Sequence, residues 1–336
     1  MDAHKIAIIG CGGVSRMHFE AYMPHPERVR VVAAVDTNPE RVAWAQREYG
    51  VPRGFHSLDE ALAQADWDVA VVCTPTPVRA VVVATLARAA KHLMVEKPMA
   101  DSSAEAQRMV ETCERAGVTL AVNQNFRYHY PFEAARQRIA EGRIGRVRGI
   151  LQVDLMLRRD SGWRVAAPRH ALSVMGVHWF DGFRWMLGDE ARSLLCTTYR
   201  SPAIAAAGES DAFVQITFAG GAVATLVESF SCPVSKTQTV VVGEQGSLLL
   251  TYDGLSLFDL EHRGTPTEQW DNPMRGRNKP RATFVDIDLL FTALELGVAP
   301  PHSGRDNLGT IAMLDGAYRS AAEGRAITLA AGGAER

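Results

Sequence analysis

Over its first 125 residues or so the chain alternates short apolar, β-branched runs with stretches of helical periodicity. The runs lie at 5–9, 29–35, 69–73, 92–95 and 119–122, and one of them, Val69-Ala70-Val71-Val72-Cys73, has no polar member at all. A strand that does not alternate has both faces covered, as in a parallel sheet held between helices. Helices are predicted between the runs at 15–22, 39–49, 58–64, 77–90 and 103–116. Two carry start signals: Asn38 stands as a cap before Pro39 in the first helical position, and Ser57 with Glu60 forms a capping box. Strand and helix in this alternation predict a doubly wound sheet.

Beyond Tyr130 the pattern changes. One helix runs to about Glu141, a turn containing Gly142 and Gly145 follows, and a strand occupies 146–157. From 194 to 260 strand patterns succeed one another with no helix between them, and Ala219-Gly220-Gly221-Ala222 separates two of them as a hairpin turn does. Helices expected at 172–187, 282–296 and 305–323 cover one face of this sheet, leaving an apolar face that invites self-association. Residues 261–280, rich in Pro, Gly, Asn and Arg, read as a surface loop near a substrate mouth. The predicted class is α/β. Residues 1–125 form a Rossmann-type doubly wound parallel sheet, and residues 126–336 an α+β domain with a large, open, mostly antiparallel sheet, its last helix able to pack back on the first domain.

Composition narrows the function. The 336 residues are 47% hydrophobic and 22% charged, with 36 Lys plus Arg against 38 Asp plus Glu and a formal net charge of -2. Such a balance supplies no field for nucleic acid or an anionic membrane, so a small-molecule partner is expected. No leader pattern and no run of roughly 20 apolar residues is seen, which makes a cytoplasmic location the expectation. The five cysteines, Cys11, Cys73, Cys113, Cys196 and Cys232, have no metal-ligand spacing and read as small apolar residues. The histidines form no metal motif either, and His18 and His25 read as surface residues.

The candidate chemistry follows the strands. Gly10-Cys11-Gly12-Gly13-Val14-Ser15 links the first strand to the first helix, where a glycine-rich turn brings backbone N–H groups to a pyrophosphate. Ser15 stands in place of a third glycine. Asp36 ends the second strand, placed to accept from ribose hydroxyls and repel a 2'-phosphate. NAD is therefore expected over NADP, although Arg41 keeps NADP open. Thr74 and Pro75 close the third strand, and Glu96-Lys97-Pro98 the fourth. Lys97 is the first catalytic candidate, because oxidation of a carbinol needs a group that takes the hydroxyl proton and burial lowers a lysine toward that task. The proline after it allows a cis peptide. Asn123, Arg127 and Tyr128 follow the last strand of the first domain and serve either ligand contact or domain packing.

Gly10-x-Gly12, Asp36, Thr74-Pro75, Glu96-Lys97-Pro98, Asn123-x-Asn125-Phe126-Arg127-Tyr128 and Gly176-x-His178-x-x-Asp181 together resemble the glucose-fructose oxidoreductase and inositol dehydrogenase (Gfo/Idh/MocA) family, nearly to the end of the chain. The resemblance implies NAD(P)-dependent redox chemistry on sugars and cyclitols, an active-site Lys97, a cis peptide before Pro98, and homodimers or homotetramers built on the C-terminal sheet. It places His178 toward the substrate as the second catalytic residue, with Asp181 as its orienter. It adds Gly13, Val14, Glu96, Lys97 and Asn125 to the cofactor contacts, and Arg127 and Tyr128 to those of the substrate.

Three departures stand out. Val174 occupies the position where relatives carry an Asp one turn before the histidine, Thr76 and Arg79 replace an Asn and a His after Thr74-Pro75, and Ala167-Pro168-Arg169-His170 replaces a glycine-rich approach. Arg169 and His170 either line the pocket, His170 as a further substrate contact for an acidic or strongly hydroxylated molecule, or belong to a loop. Two further classes stay open: an enzyme that uses NAD transiently to cleave or eliminate a glycosidic bond, and a non-enzymatic dinucleotide or sugar sensor.

Overall fold

The computed structural model describes residues 3–329. They fall into two compact units, one made of the chain up to Asn125 together with Lys279–Asn307, the other of Phe126–Asn278 together with the chain from Leu308 onward.

The first unit runs β1 (His4–Ile9), α1 (Ser15–Tyr22), β2 (Val29–Val35), α2 (Pro39–Tyr49), β3 (Arg53–Phe55), α3 (Leu58–Gln64), β4 (Val69–Val72), α4 (Thr76–Arg88), β5 (His92–Val95), α5 (Ser103–Arg115) and β6 (Leu120–Val122). The strands pair in parallel in the order β3-β2-β1-β4-β5-β6, the doubly wound arrangement whose ligands gather at the carboxyl ends. The predicted caps form: Asn38 accepts from Glu40 N at 2.9 Å and Ser57 from Glu60 N at 3.1 Å. Strand β3 escapes the sequence reading because its three residues, Arg53-Gly54-Phe55, include only one large apolar side chain.

Register explains where the functional candidates fall. Ile9 pairs with both Val35 and Val72, Val72 with Val95, and Val95 with Val122. These five positions form one row across the sheet, so Gly10, Asp36, Cys73, Glu96 and Asn123 follow it together at one edge. Ladder bonds carry the row one step further: Gly10 N donates to Val35 O at 2.7 Å, Cys73 N to Ile9 O at 2.8 Å, Glu96 N to Val72 O at 3.0 Å and Asn123 N to Val95 O at 2.8 Å. The core beneath is apolar, with Ile6, Ile8, Val69, Val71 and Met94 packed against Phe19 and Tyr22 of α1 and against Ile287, Leu290 and Phe291 of a later helix.

The second unit contains α6 (Tyr130–Ala140), β7 (Val147–Leu157), a one-turn helix α7 (Trp163–Ala166), a π-helical turn over Leu172–Gly176 that runs into α8 (Val177–Leu187), and then β8 (Ala191–Tyr199), β9 (Asp211–Phe218), β10 (Val223–Ser229), β11 (Ser231–Gly243), β12 (Gly246–Thr251), β13 (Gly254–Asp259) and β14 (Glu268–Asp271). Helix α9 (Asn278–Leu296) supplies the late helix of the first core, α10 (Gly304–Glu323) passes from one unit into the other, and β15 (Ile327–Thr328) closes the chain's described part. The nine-stranded order is β14-β13-β12-β11-β7-β10-β9-β8-β15. Only β7 and β10 pair in parallel among them. Phe132 and Ala135 of α6, Trp179, Phe180 and Phe183 of α8, and Met313 and Leu314 of α10 cover one face.

The loop expected over 261–280 is corrected in part. Residues Glu268–Asp271 form an edge strand on β13, and α9 starts at Asn278, so Pro280 lies in its first turn. Proline is tolerated there because first-turn N–H groups have no helical acceptor.

Gly10 is the one glycine of the β1–α1 turn that the backbone itself demands. Its φ is +94°, and a Cβ would lie 3.0 Å from the carbonyl carbon of Cys73. The variant Gly10→Ala is expected to lose about 1–3 kcal/mol in urea unfolding, whereas Gly12→Ala, whose Cβ meets nothing within 4 Å, should leave the unfolding midpoint where it is.

Candidate active site

At the carboxyl edge of the parallel sheet the β1–α1 turn leaves space above Gly12 and Gly13, where an added Cβ would touch nothing. Helix α1 has no side-chain cap and no acidic residue in its first turn, so no side chain there offsets the positive end of the helix dipole. Ser15, in the third-glycine position, is fully buried and turns its hydroxyl back to Gly12 O at 2.7 Å. Its side chain thus closes the turn and does not occupy the space above it. Asp36 accepts from Cys11 N and from Asn38 N, both at 2.8 Å. Arg41 Nη1 approaches its carboxylate to 3.7 Å. Thr74 Oγ1, Asn123 Oδ1 and Asn125 Oδ1 are buried with no hydrogen-bond partner, which is a set of polar atoms that a dinucleotide would satisfy. Asn125 is itself fixed by Nδ2, which donates to Thr283 Oγ1 at 3.0 Å. The residues present therefore fit a bound NAD.

Glu96 is the anchor of the same edge. Its Oε1 bonds His18 Nε2 at 2.8 Å and accepts from Asn123 Nδ2 at 2.6 Å, while His18 Nδ1 meets the Tyr22 hydroxyl at 2.8 Å. Burial pushes the Glu96 carboxyl up, but the bond and charge of His18, the nearby Lys97 and the Asn123 amide outweigh it and hold it down at about 2. His18 is thus wholly buried, not a surface residue, which corrects the sequence reading. The stripe Ser15, His18, Phe19, Tyr22, all buried, has the 3.6-residue period that would have found it. Lys97 follows on the turn after β5, half-buried, with the Lys97–Pro98 peptide cis.

In the second unit His178 sits on α8, 5% exposed, with its ring stacked on Phe126 at 3.9 Å. The π-helical turn just before it widens the helix, a feature that recurs at functional sites. Gly176 makes the tight join possible, since a Cβ there would lie 2.7 Å from a Leu172 methyl. Glu209 fixes the helix start: its two oxygens accept from His170 N at 3.0 Å, from Leu172 N at 2.9 Å and from the Tyr318 hydroxyl at 2.8 Å. Val174 packs on Ala171 and Phe230 in an apolar cluster, so no acid stands one turn before His178.

Four expected substrate contacts, Arg127, Asp181, His170 and Tyr128, meet partners within the second unit. Arg127 clasps Asp181 with two bonds of 2.6 Å, and Thr310 donates to the same carboxylate at 3.0 Å, which leaves Asp181 engaged away from the role of orienting His178. His170 is fully buried, its Nε2 on Asp160 Oδ2 at 3.0 Å and its ring edge-on to Phe230. Arg169 pairs with Asp315 and lies over Tyr318. Tyr128 packs edge-on against Trp185.

A group that the sequence reading missed lies beneath α8. Asp154 and Glu228, cross-strand neighbours on β7 and β10, both accept from Trp179 Nε1 at 3.1 Å. Thr237 also donates to Asp154 at 2.6 Å. Burial, then the neighbouring Asp154, pushes Glu228 well above the carboxylate range, and burial pushes Asp154 up as well. Two buried acids side by side cannot both ionise cheaply, so the doubly charged form of the pair is disfavoured. No group of three or more His, Cys, Asp or Glu able to hold a metal occurs among the described residues, and no helix there is long and apolar enough to cross a membrane.

Comparison with known proteins agrees with this layout. A model described as an oxidoreductase family with an NAD-binding Rossmann fold matches residues 4–124, and one described as the GFO/IDH/MocA C-terminal domain matches 132–249. The D-apiose dehydrogenase of Paraburkholderia graminis is 31% identical over 341 residues, covering 97% of this chain and 89% of that protein. The inositol 2-dehydrogenase of Rhizobium meliloti is 27% identical over 333 residues, covering 97% and 99%. An oxidoreductase from Agrobacterium radiobacter, solved in complex with NAD+, L-tartaric acid and magnesium, matches with a TM-score of 0.86 at 25% identity, over 97% of this chain and 98% of its own.

The Glu228 carboxyl has a testable cost. Its folded pKa is raised, so the stability it contributes is complete below the unfolded value of 4.5 and is lost as pH climbs toward the folded value. Glu228→Gln is therefore expected to flatten the fall in melting temperature as pH rises above the ordinary carboxylate range; parallel curves for the two proteins would contradict the assignment.

Proposed function

Since the chain belongs to the Gfo/Idh/MocA family of NAD-binding oxidoreductases, enzymes that act on CH–OH groups, we propose that it exchanges a hydride between NAD and a carbinol or ketone carbon of a sugar, cyclitol or sugar derivative. The observation that carries this reading is the fixed turn after β5, where a buried, hydrogen-bonded Glu96 presents Lys97 at the carboxyl edge of the cofactor sheet.

In this reading Gly10, Gly12, Gly13 and Val14 shape the pyrophosphate turn, and Asp36 accepts from the adenosine ribose. Thr74, Pro75, Glu96, Lys97 and Asn125 follow the dinucleotide along the edge. Asp36 favours NAD, since a 2'-phosphate would meet its carboxylate. Bound NAD supplies the hydride acceptor or donor. Lys97 takes the hydroxyl proton when the carbinol is oxidised and returns it in reduction, with His178 as its partner in handling that proton. The Arg127–Asp181 ion pair and His170 hold the protein around His178. Tyr128 is placed with them. The relatives named for apiose and inositol support the substrate class.

The exposed face of the nine-stranded sheet supports self-association as a dimer or tetramer. Leu151 on β7, Leu195 on β8 and Phe213 on β9 are each exposed and lie on that one face. Phe213→Glu is expected to lower the mass found by light scattering, and an unchanged mass would exclude this face.

Val174 favours a second reading, transient oxidation followed by cleavage of a glycosidic bond, because the acid that would complete the proton path is replaced by an apolar contact. One experiment separates the two. The protein is incubated with NAD and a panel of sugars, cyclitols, sugar acids and glycosides, with NADH absorbance and product masses followed together. Substrate-dependent NADH that falls about 10²–10⁴-fold in Lys97→Ala supports the dehydrogenase reading, and product without net NADH supports the second. Wild-type turnover in Lys97→Ala removes both.

A further inference from the structure

Arg79 is the least expected residue near the carboxyl edge. It sits on α4, among Val and Ala, and is 3% exposed. Burying a guanidinium is costly, and the structure shows what offsets it. Nη1 donates to Glu96 O at 2.6 Å and also to Pro98 O, while Nη2 donates to Thr74 O at 2.6 Å. The two Nη1 acceptors are the carbonyls on either side of Lys97. The third belongs to the turn that follows β4. One planar cation thus joins two adjacent loops of the edge. Burial pulls its pKa down to about 10, with Glu96 opposing, so it stays charged through the neutral range.

The clamp complements the one on the Glu96 side chain. His18 and Asn123 hold the carboxylate, and Arg79 holds the main chain of the same turn. Between them the Glu96 carboxylate and the Glu96 and Pro98 carbonyls all meet buried partners, so the main chain is held both before and after Lys97. Lysine cannot reproduce this, since a flexible stem with one ammonium does not present donors in a fixed fork. A neutral imidazole has one N–H for three acceptors.

We propose that Arg79 is a positioning residue for Lys97, holding the lysine turn and the Thr74-Pro75 turn in a single geometry. This rests on the reading in which Lys97 handles the substrate proton.

The test uses Arg79→Lys and, should that variant unfold, Arg79→Gln, each checked by circular dichroism and NADH fluorescence titration. Acetic anhydride labelling of the full-length protein is followed across pH, with modification at Lys97 read by mass spectrometry against exposed Lys236 as the internal standard. The expected result in a folded variant is a several-fold change in Lys97 reactivity, or a midpoint moved by about half a pH unit. On a substrate found with the panel above, kcat is expected to fall about 10–100-fold with little change in KM. A folded variant with the wild-type labelling curve and kcat, lower only in melting temperature, would make Arg79 structural and overturn the proposal. Failure of the underlying reading shows separately, as wild-type turnover in Lys97→Ala.

Discussion

A carboxylate removed from water must be met by donors where it lies, and at the edge of the parallel sheet that carboxylate is Glu96. Its partners come from two other elements, His18 from α1 and Asn123 from the end of β6. Each bond therefore fixes an element as well as a charge. Removing any partner would leave a buried charge short of donors, a cost of several kcal/mol by comparison with other buried ion pairs. The first helix is held by its side-chain stripe and the glycine turn before it is held by Gly10, whose close approach to Cys73 admits no side chain. Rigidity at this edge is thus a consequence of charge satisfaction, and the open space above Gly12 and Gly13 is framed by groups that have no freedom to fill it.

The second unit meets its buried acids in several ways, and the differences sort them by role. Asp181 is neutralised by a two-pronged Arg127, and Glu209 caps a helix start. Asp211 takes bonds from the hydroxyls of Ser210, Ser229 and Ser231. Each of these is complete. Asp154 and Glu228 share a single indole N–H, and Glu228 Oε1 has no partner. A network left short of donors loses part of the stability that a full one would supply. Keeping a proton on the pair turns one carboxyl into a donor and relieves the repulsion between the two, which is the direction in which burial pushes both groups.

Much of the frame was legible in the chain because local and global signals agreed. The five apolar runs of the first unit fall on its strands, Asn38 and Ser57 cap the helices they precede, and Gly10, Asp36, Thr74 and Glu96 stand at strand ends by register alone. What escaped lacked a local signal or carried a misleading one. Strand β3 is three residues long and β14 lies in a stretch whose composition reads as loop; both are edge strands defined by pairing, not by burial. His18 was misread by type, although its spacing with Ser15, Phe19 and Tyr22 was visible. Arg79 stood out as a departure from its relatives, but nothing announced its partners: its acceptors are carbonyls from positions 5, 17 and 19 residues away, and main-chain acceptors leave no trace in side-chain sequence. Arg127 and Asp181 were each singled out for a separate role, but 54 residues separate them and nothing in the sequence said that they would bind each other.

The position of Val174 shows how the second unit differs from a simple carboxylate-assisted histidine. An acid placed one helical turn before His178 would lie on the same side of the helix, and the side chain there instead packs on Phe230 and Ala171. The histidine is held by other means: its ring stacks on Phe126, its helix is capped by Glu209, and the π-helical turn sets its phase relative to the residues before it. Geometry has been retained while the adjacent charge has been dropped. The acids that α8 does cover are Asp154 and Glu228 on Trp179, which are bound to the packing of the sheet and not to the turn before His178.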